Sequence, residues 1–307
     1  MLSYSLSLAN NVIYSNAPTK TFTKERTRHN MKISFIGGGK KLAAVCKIFE
    51  NKSGFTLTGA YSNPLSACAE TAIEYNMKIY RSMNALYEDS DVIVLAVNDR
   101  FIPGIISSLT LIHAHGRVFV TVSDRLTSSE LSMAYPNACA IINSVIPIET
   151  IPADRICSAS FVCELFGKNY NEFYNAILSS EINCKFISSK QLQMYRTSLH
   201  MATYATEAVL MSAIQLLKVS TVSQNPNHLM PVIKTALKNV FSDKTSTLYS
   251  PYNDGDLDEI RKHIEILDEV GIDSTKNLYN ATALYLNERD CDDYEAADEV
   301  VRLIKNS

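Results

Sequence analysis

Apolar residues follow two different patterns along this chain, and the change between them falls near residue 189. Before that point, short continuous apolar runs alternate with segments in which apolar residues recur every three or four positions. Continuous runs are typical of buried parallel strands, and the wider spacing is typical of helices that cover a sheet. The alternation predicts an α/β domain with a parallel, doubly wound sheet.

The predicted strands of this first region share an apolar composition bounded by turn residues. They cover residues 31–36, 55–61, 77–80, 91–97, 117–122, 138–143, 156–165 and 182–187. Five helices are predicted between them, at residues 41–49, 64–75, 101–109, 128–135 and 170–179. Asn63 precedes Pro64, so we expect Asn63 to be the N-cap of the second of these helices.

After residue 189 the pattern is helical throughout. One long helix is predicted over residues 189–218, and shorter helices are predicted at 230–241, 257–270, 275–288 and 294–305. Asp256 with Glu259 resembles a capping box, and Gly271 suits the position after a helix end. We therefore predict a first domain over residues 31–188 and an all-α C-terminal domain over residues 189–307.

Residues 1–30 differ from both domains, because they are rich in Ser, Asn and Thr and carry few apolar runs. Three interpretations fit them: a flexible tail, a weak organelle-targeting segment, or an overcalled start with Met31 as the first residue. We favour a flexible extension that takes no part in the chemistry.

Composition and charge limit the function classes. The chain is 46% hydrophobic and 20% charged, as in ordinary globular proteins. With a net charge of −3, it lacks the overall positive charge that is typical of nucleic-acid-binding domains. No apolar stretch is long enough to span a bilayer. The seven cysteines are scattered and form no zinc-ligand pattern, which favours a reducing, cytoplasmic location and no metal site.

The most specific motif follows the first predicted strand. Gly37, Gly38 and Gly39 are consecutive, and Lys40 and Lys41 open the helix that comes next. Strand, glycine turn and helix together form the site that binds the pyrophosphate of a dinucleotide, so we predict that residues 31–188 form a Rossmann domain. Leu42 stands where the full fingerprint has a third glycine. The alternative is a glycine-rich turn that binds nothing.

The end of the second predicted strand indicates which dinucleotide would bind. An acid about 20 residues after the glycines usually holds the ribose of NAD, but Tyr61, Ser62 and Asn63 occupy this place. Ser62 and Asn63 could donate hydrogen bonds to a 2′-phosphate, and Lys40 or Lys41 could add positive charge. We therefore favour NADP over NAD, although Ser62 and Asn63 could simply start the next helix.

The fourth predicted strand ends in Ala96 and Val97, followed by Asn98 and Asp99. The carboxyl ends of the central strands meet where nicotinamide is expected, and small side chains there leave room for a flat ring. Asn98 could contact the cofactor ribose or carboxamide. Equally, Asn98 and Asp99 could cap the following helix.

The chain resembles the family of Rossmann-like NADP-binding proteins that carry a C-terminal helical domain of unknown function. This family is related to pyrroline-5-carboxylate reductases and deazaflavin-dependent NADP oxidoreductases. The matching segments are residues 33–39, 60–62 and 95–99, Tyr195, and a late pattern of Pro251, Gly255, Asp256 and His263. The resemblance implies an NADP-dependent reductase fold and a homodimer formed through the helical domain.

The long predicted helix carries the candidates for catalysis. Tyr195 shares one face with Leu199, and Arg196 shares the neighbouring face with His200. Tyr195 or His200 could protonate a forming alkoxide or amine, and Arg196 could hold a substrate carboxylate. The structural alternatives are a core position for Tyr195 and an exposed or structural role for His200.

These features together favour an NADP-dependent oxidoreductase that reduces a C=O or C=N bond of a small-molecule substrate, in a cleft between the two domains. An NADP-binding sensor or scaffold without turnover is the main alternative. Methyl transfer from S-adenosylmethionine also uses a glycine-rich first loop, but it normally needs the acid that is missing after the second strand.

Overall fold

A computed structural model describes residues 30–110, 116–123, 125–127, 130–131, 138–144, 148–167, 170–242, 250–252, 254–290 and 294–306. The extension predicted over residues 1–30 lies outside these ranges apart from Asn30, and so does most of the helix predicted at 128–135. The chain forms two compact units, one ending at Gln193 and the other beginning at Met194.

The first unit is built on an eight-stranded sheet. Its strands are β1 (Met31–Gly37), β2 (Phe55–Tyr61), β3 (Lys78–Ile79), β4 (Val92–Ala96), β5 (Val118–Val122), β6 (Ala138–Ser144), β7 (Phe161–Gly167) and β8 (Cys184–Phe186). The spatial order is β3-β2-β1-β4-β5-β6-β7-β8, and every neighbouring pair is parallel except β6 and β7. The predicted α/β class with a doubly wound parallel sheet is confirmed.

Six helices of the first unit are described: α1 (Gly39–Phe49), α2 (Ser66–Glu74), α3 (Met83–Glu88), α4 (Ile102–Thr110), α5 (Ala153–Ile156) and α6 (Asn171–Ser179). Two of them, α3 and α5, are absent from the sequence prediction. Each is short, so periodicity alone cannot reveal it. The side chain of Ser82 accepts a hydrogen bond from Ala85 N at 3.2 Å, and this cap is the sequence signal that marks the start of α3.

Helices cover both faces of the sheet, because its central strands are apolar on both sides. Alternate residues of β4 enter different cores: Val92 and Val94 pack with α1 and α6, whereas Ile93 and Leu95 pack with α3 and α4. Burying each of these side chains contributes about 1.5–3 kcal/mol. The strand therefore fixes the centre of the unit, and its carboxyl end is held at a defined place.

One polar residue, Ser34, lies fully buried within the apolar β1 strand. Its hydroxyl is satisfied by the hydroxyls of Thr58 and of Ser90, which donates at 2.7 Å. The register of β1 on β2 shifts here, because Ile33 pairs with Leu57 while Ser34 pairs with Gly59. Thr58 is the extra residue of this bulge, and its hydroxyl lies 3.0 Å from Ile33 O.

The second unit is helical in its described part, as predicted. Helix α7 covers Ser189–His200 and belongs to this unit from Met194 onward. It leads through a π-helical turn at Met201–Ala205 into α8 (Thr206–Val219). The later helices are α9 (Met230–Phe241), α10 (Leu257–Val270), α11 (Asp273–Asp290) and α12 (Tyr294–Lys305). The sequence predicts one continuous helix where the π-helical turn occurs.

Both predicted ends of α10 are confirmed. The Asp256 carboxylate accepts a hydrogen bond from Glu259 N at 3.1 Å, and Gly271 adopts a left-handed conformation with φ of 68°. Side chains of α10, α11 and α12 form a small core of Ile260, Ile264, Ala283, Val300 and Ile304.

Asp89 is the centre of a polar network at the opposite end of the sheet from the glycine turn. Its carboxylate accepts hydrogen bonds from Lys32 Nζ at 2.8 Å, Lys78 Nζ at 2.9 Å and the Tyr80 hydroxyl at 2.9 Å. These donors, led by Lys32, hold the pKa of Asp89 well below its usual range. The network joins the starts of β1 and β3 to the segment before β4.

We predict that Asp89→Asn lowers the free energy of unfolding at neutral pH by about 1 kcal/mol, because two charge-assisted hydrogen bonds are weakened. The folded-state pKa is depressed, so the network stabilises the fold above the unfolded-state pKa of about 3.9. This contribution is lost as the pH falls toward the folded-state pKa. Urea denaturation between pH 7 and pH 3 measures the effect.

Glu70, an exposed carboxylate on α2, provides the control. Glu70→Gln removes the same charge and should leave the free energy of unfolding nearly unchanged. A difference between Asp89→Asn and the wild type that stays constant down to pH 3 would contradict the prediction.

Candidate functional site

The turn between β1 and α1 is as short as a strand-to-helix connection can be. The strand ends at Gly37, the helix starts at Gly39, and Gly38 alone joins them. A Cβ on Gly37 would overlap the carbonyl of Ala96 in β4, and a Cβ on Gly38 would lie 2.5 Å from the carbonyl oxygen of Ala67 in α2. Glycine is therefore required because backbone packs directly against backbone at this point.

The third glycine of the turn serves a different purpose. Gly39 has φ of 63°, and nothing lies within 4 Å of the position that its Cβ would take. No side chain of a described residue caps the N-terminus of α1, and its first turn contains no acid. Unpaired backbone N–H groups at a helix N-terminus attract anions such as phosphate.

Leu42, which replaces the third glycine of the fingerprint, is fully buried in the core below the turn. The substitution therefore changes how α1 packs on the sheet, and it leaves the exposed side of the turn as it is. This agrees with the packing role of that glycine in dinucleotide-binding folds.

An open groove of about 830 Å³ runs from the glycine turn across the ends of β2 and β4 to α4; we call it the nucleotide groove. Most of the predicted cofactor-binding residues line it: Gly37, Gly38, Lys41, Ser62, Asn63, Ala96, Val97 and Asn98. The other two, Gly39 and Lys40, are exposed in the first turn of α1.

The nucleotide groove has an apolar part and a polar part. Met83, Phe101 and Ile105 supply apolar surface that suits a flat aromatic base. The described residues that line the groove include the cations Lys41 and Arg100 but no Asp or Glu. A groove with this charge accepts a phosphorylated ligand without repulsion.

At the end of β2, Ser62 and Asn63 are used differently. Ser62 is buried, and its hydroxyl donates to Pro64 O at 2.7 Å. The hydroxyl proton is therefore used in a hydrogen bond within the local turn. Asn63 is exposed and lines the nucleotide groove. The predicted N-cap role of Asn63 is wrong, because α2 begins at Ser66 and Leu65 occupies the cap position.

Asn98 fits both interpretations that the sequence left open. Its side-chain oxygen accepts a hydrogen bond from Arg100 N at 3.2 Å and so caps the helical turn Asp99–Phe101. It also lines the nucleotide groove. Capping and exposure to a ligand are compatible, because the cap uses only the oxygen of the side-chain amide.

Lys41 connects the glycine turn to the ends of two strands. Its ammonium donates to Val97 O at 3.1 Å and lies 3.7 Å from Asp99 Oδ1. Asp99 Oδ2 in turn accepts a hydrogen bond from Ser123 Oγ at 2.6 Å. The sequence indicated Lys41 as a source of positive charge, whereas the contact of Lys41 with Asp99 is seen only in the structure.

The predicted catalytic residues all lie on α7. Tyr195 and Arg196 are half-buried, and His200 is exposed with its ring 5.1 Å from the ring of Tyr204. The π-helical turn follows directly, and π-helical turns occur frequently at functional sites. Arg196 and His200 lie about one helical turn apart within α7.

A second group of polar side chains lies in the helical unit, at the late sequence pattern. His263 Nδ1 is 2.8 Å from the Tyr279 hydroxyl, and His263 Nε2 is 3.4 Å from Glu259 Oε1. Burial raises the pKa of Tyr279, and burial together with a hydrogen bond to Tyr279 raises the pKa of Tyr252. His263 stood out in the sequence, whereas the tyrosine partner comes from a later helix.

Solved structures of the same fold are similar to this chain. BF3122, a candidate NADP oxidoreductase from Bacteroides fragilis, matches with a TM-score of 0.63 and 14% identity over 86% of this chain and 100% of its own. A semialdehyde dehydrogenase NAD-binding protein from Cupriavidus necator, in complex with calcium and NAD, matches with a TM-score of 0.55 and 16% identity. The match covers 90% of this chain and 100% of that protein. A reductive aminase from Aspergillus terreus, in complex with NADPH and ethyl-5-oxohexanoate, matches with a TM-score of 0.53 and 11% identity. The match covers 91% of this chain and 93% of that protein.

No family model matches the chain, and neither does any curated protein. The structural matches confirm the fold implied by the resemblance, a Rossmann domain followed by a helical region. The closer relation to pyrroline-5-carboxylate reductases stays a prediction.

Two further findings concern the described residues alone. None of their helices combines the length and hydropathy needed to cross a bilayer. Nor do they contain a group of three or more His, Cys, Asp or Glu side chains placed to hold a metal ion.

We predict that Gly38→Ala weakens NADPH binding about 10-fold or more and lowers stability by about 1–3 kcal/mol, because the new methyl group must displace the backbone of α2. Calorimetry and denaturant unfolding measure the two effects. Gly104→Ala lies in the same groove with nothing within 4 Å of its Cβ, so it should preserve stability. Equal behaviour of the two variants would contradict the packing argument.

Proposed function

We propose that the protein is an NADP-dependent oxidoreductase. The observation that carries this proposal is the uncapped N-terminus of α1, which opens beside Gly38 and Gly39 onto a groove whose described lining contains no carboxylate. A cofactor phosphate would receive backbone N–H donors and the positive end of the helix dipole there. When bound, NADPH would supply the hydride.

Other parts of the groove fit the rest of the cofactor. Asn63 provides amide donors at the end of β2, and the absence of an acid among Tyr61, Ser62 and Asn63 favours a ribose that carries a 2′-phosphate. The apolar surface of Met83 and Phe101 suits adenine. Lys41 adds positive charge next to the glycine turn.

The proposed reaction is reduction of a C=O or C=N bond in a small molecule. The similarity to a reductive aminase that binds NADPH, and to a semialdehyde dehydrogenase protein that binds NAD, supports this class. Tyr195, Arg196 and His200 are the proposed proton donors and substrate ligands, because their groups suit these roles and they share neighbouring faces of α7.

We predict that NADPH binds at least about 10-fold more tightly than NADH, because charge-assisted hydrogen bonds to the 2′-phosphate contribute about 1.5–3 kcal/mol each. Asn63→Asp should reverse this preference through repulsion between the carboxylate and the phosphate. Asn171→Asp adds the same charge at an exposed site on α6 and should change neither affinity. Titration calorimetry of the wild type and both variants with each cofactor measures all six combinations.

Absence of NADPH binding in the wild type would refute the proposal at its first step. Oxidation of bound NADPH with members of a panel of imines, oxo acids and aldehydes would support turnover. Binding without any oxidation across that panel would instead favour a sensor or scaffold.

We also propose that the helical unit forms a homodimer. Large apolar side chains on its surface support this, and Phe241 is 85% exposed. The most exposed of them are Met194, Met201, Tyr204, Met211, Val222, Val240, Phe241 and Tyr285. Where such side chains join into one patch, the patch is typically an interaction site.

The expected result is a dimer in sedimentation velocity at micromolar concentration. Val240→Lys with Phe241→Lys should raise the dissociation constant by about 10-fold or more, since buried aromatic side chains dominate interfaces. Leu178→Lys places a similar change on an exposed residue of α6 and should leave the dimer intact. A monomeric wild type would exclude the dimer.

A further inference from the structure

A second groove of about 580 Å³ lies at the carboxyl ends of β4 and β5, and we call it the basic groove. Its lining consists of Lys41, Asn98, Asp99, Arg100 and Arg125. Three of these residues also line the nucleotide groove, whereas Asp99 and Arg125 belong to the basic groove alone. The two grooves therefore adjoin, and the basic groove extends from the end of β4 toward the end of β5.

The charge of the basic groove is positive. Three cations face it, and Asp99 is the one acid among the described residues of its lining. Both oxygens of Asp99 are engaged, Oδ1 at 3.7 Å from Lys41 Nζ and Oδ2 with the Ser123 hydroxyl. Asp99 and Lys41 offset each other, so the positive charge that remains comes from Arg100 and Arg125.

The backbone holds Arg125 in place. Ser123 Oγ accepts hydrogen bonds from Arg125 N at 3.2 Å and Leu126 N at 2.8 Å, while it donates to Asp99. Leu126 is buried in the core that α3 and α4 form on the sheet. These contacts restrain the backbone at Arg125 and Leu126, which lowers the entropy lost when this segment binds a ligand.

Arg100 is also constrained. Its guanidinium carbon lies 4.7 Å from the centre of the Phe101 ring, and a guanidinium stacked in this way keeps its N–H edges available. Two arginines beside a groove of this size match the planar geometry of a carboxylate, which each can bind through two parallel hydrogen bonds.

We propose that the basic groove binds the carboxylate of the substrate, with Arg125 as the main ligand, Arg100 as the second, and Asp99 and Ser123 as positioning residues. This rests on the proposed function, because it names the substrate of the proposed reductase as a small oxo acid. A neutral ketone or aldehyde of the same size would lack the group that Arg125 recognises.

The test uses fluorine NMR of the full chain with two small probes, trifluoroacetate and trifluoroethanol, each with and without saturating NADP⁺. We expect the anion to bind and the neutral alcohol not to bind, with and without the cofactor. Arg125→Gln should weaken trifluoroacetate binding about 10-fold or more, the loss typical of a charge-assisted hydrogen bond, and Arg125→Lys should weaken it less.

Ser123→Ala should give an intermediate loss, and in the double variant it should add nothing to the loss that Arg125→Gln causes, as expected of a residue that acts through Arg125. Arg155→Gln is the matched control, because it removes the same charge from an exposed arginine on α5. Circular dichroism and the unfolding midpoint of each variant confirm that it is folded.

Three outcomes would overturn the proposal: equal binding of the two probes, equal losses in Arg125→Gln and Arg155→Gln, or displacement of trifluoroacetate by NADP⁺. The last would assign the basic groove to a phosphate of the cofactor. If calorimetry detects no NADP⁺ binding while Arg125 still binds the probe, the proposed function fails and the anion subsite stands. The two ideas can therefore fail separately.

Discussion

The contact of backbone with backbone at the glycine turn is the constraint on which the rest of the first unit depends. Gly37 lies against the carbonyl of Ala96, and Gly38 lies against the carbonyl of Ala67. Side chains in either place would separate β1 from β4 or α1 from α2. Because they are absent, α1 starts directly at the carboxyl end of β1, and its first turn lies beside the groove that Gly37 and Gly38 line.

The same close approach brings charged groups together. Lys41, in the first turn of α1, reaches the carbonyl of Val97 and the carboxylate of Asp99, and Asp99 reaches Ser123 after β5. The glycine turn and the segment that carries Arg125 are therefore linked by a series of polar contacts. These contacts lie where the two positively charged grooves adjoin, at the ends of neighbouring strands.

The sequence predicted most of the fold, because long apolar runs and helical periodicity report burial directly. It failed where the signal is short or depends on distant partners. α3 spans less than two turns, Asn63 is not the cap that its neighbour Pro64 suggested, and the π-helical turn at Met201–Ala205 leaves no mark on periodicity. The hydroxyl partners of the buried Ser34, Thr58 and Ser90, are likewise distant from it in sequence.

The sequence alone determined the order of strands and helices, the glycine turn and the missing acid after β2, since each is written in consecutive residues. Tertiary structure decided which side chains share a site. Lys41 and Asp99 are 58 positions apart and Asp99 and Ser123 are 24 apart, and only the parallel sheet aligns the ends of their strands. The local sequence pattern determines which residues are buried and which backbone conformation they adopt. The proximity of residues that are distant in sequence depends on how the strands assemble into the sheet.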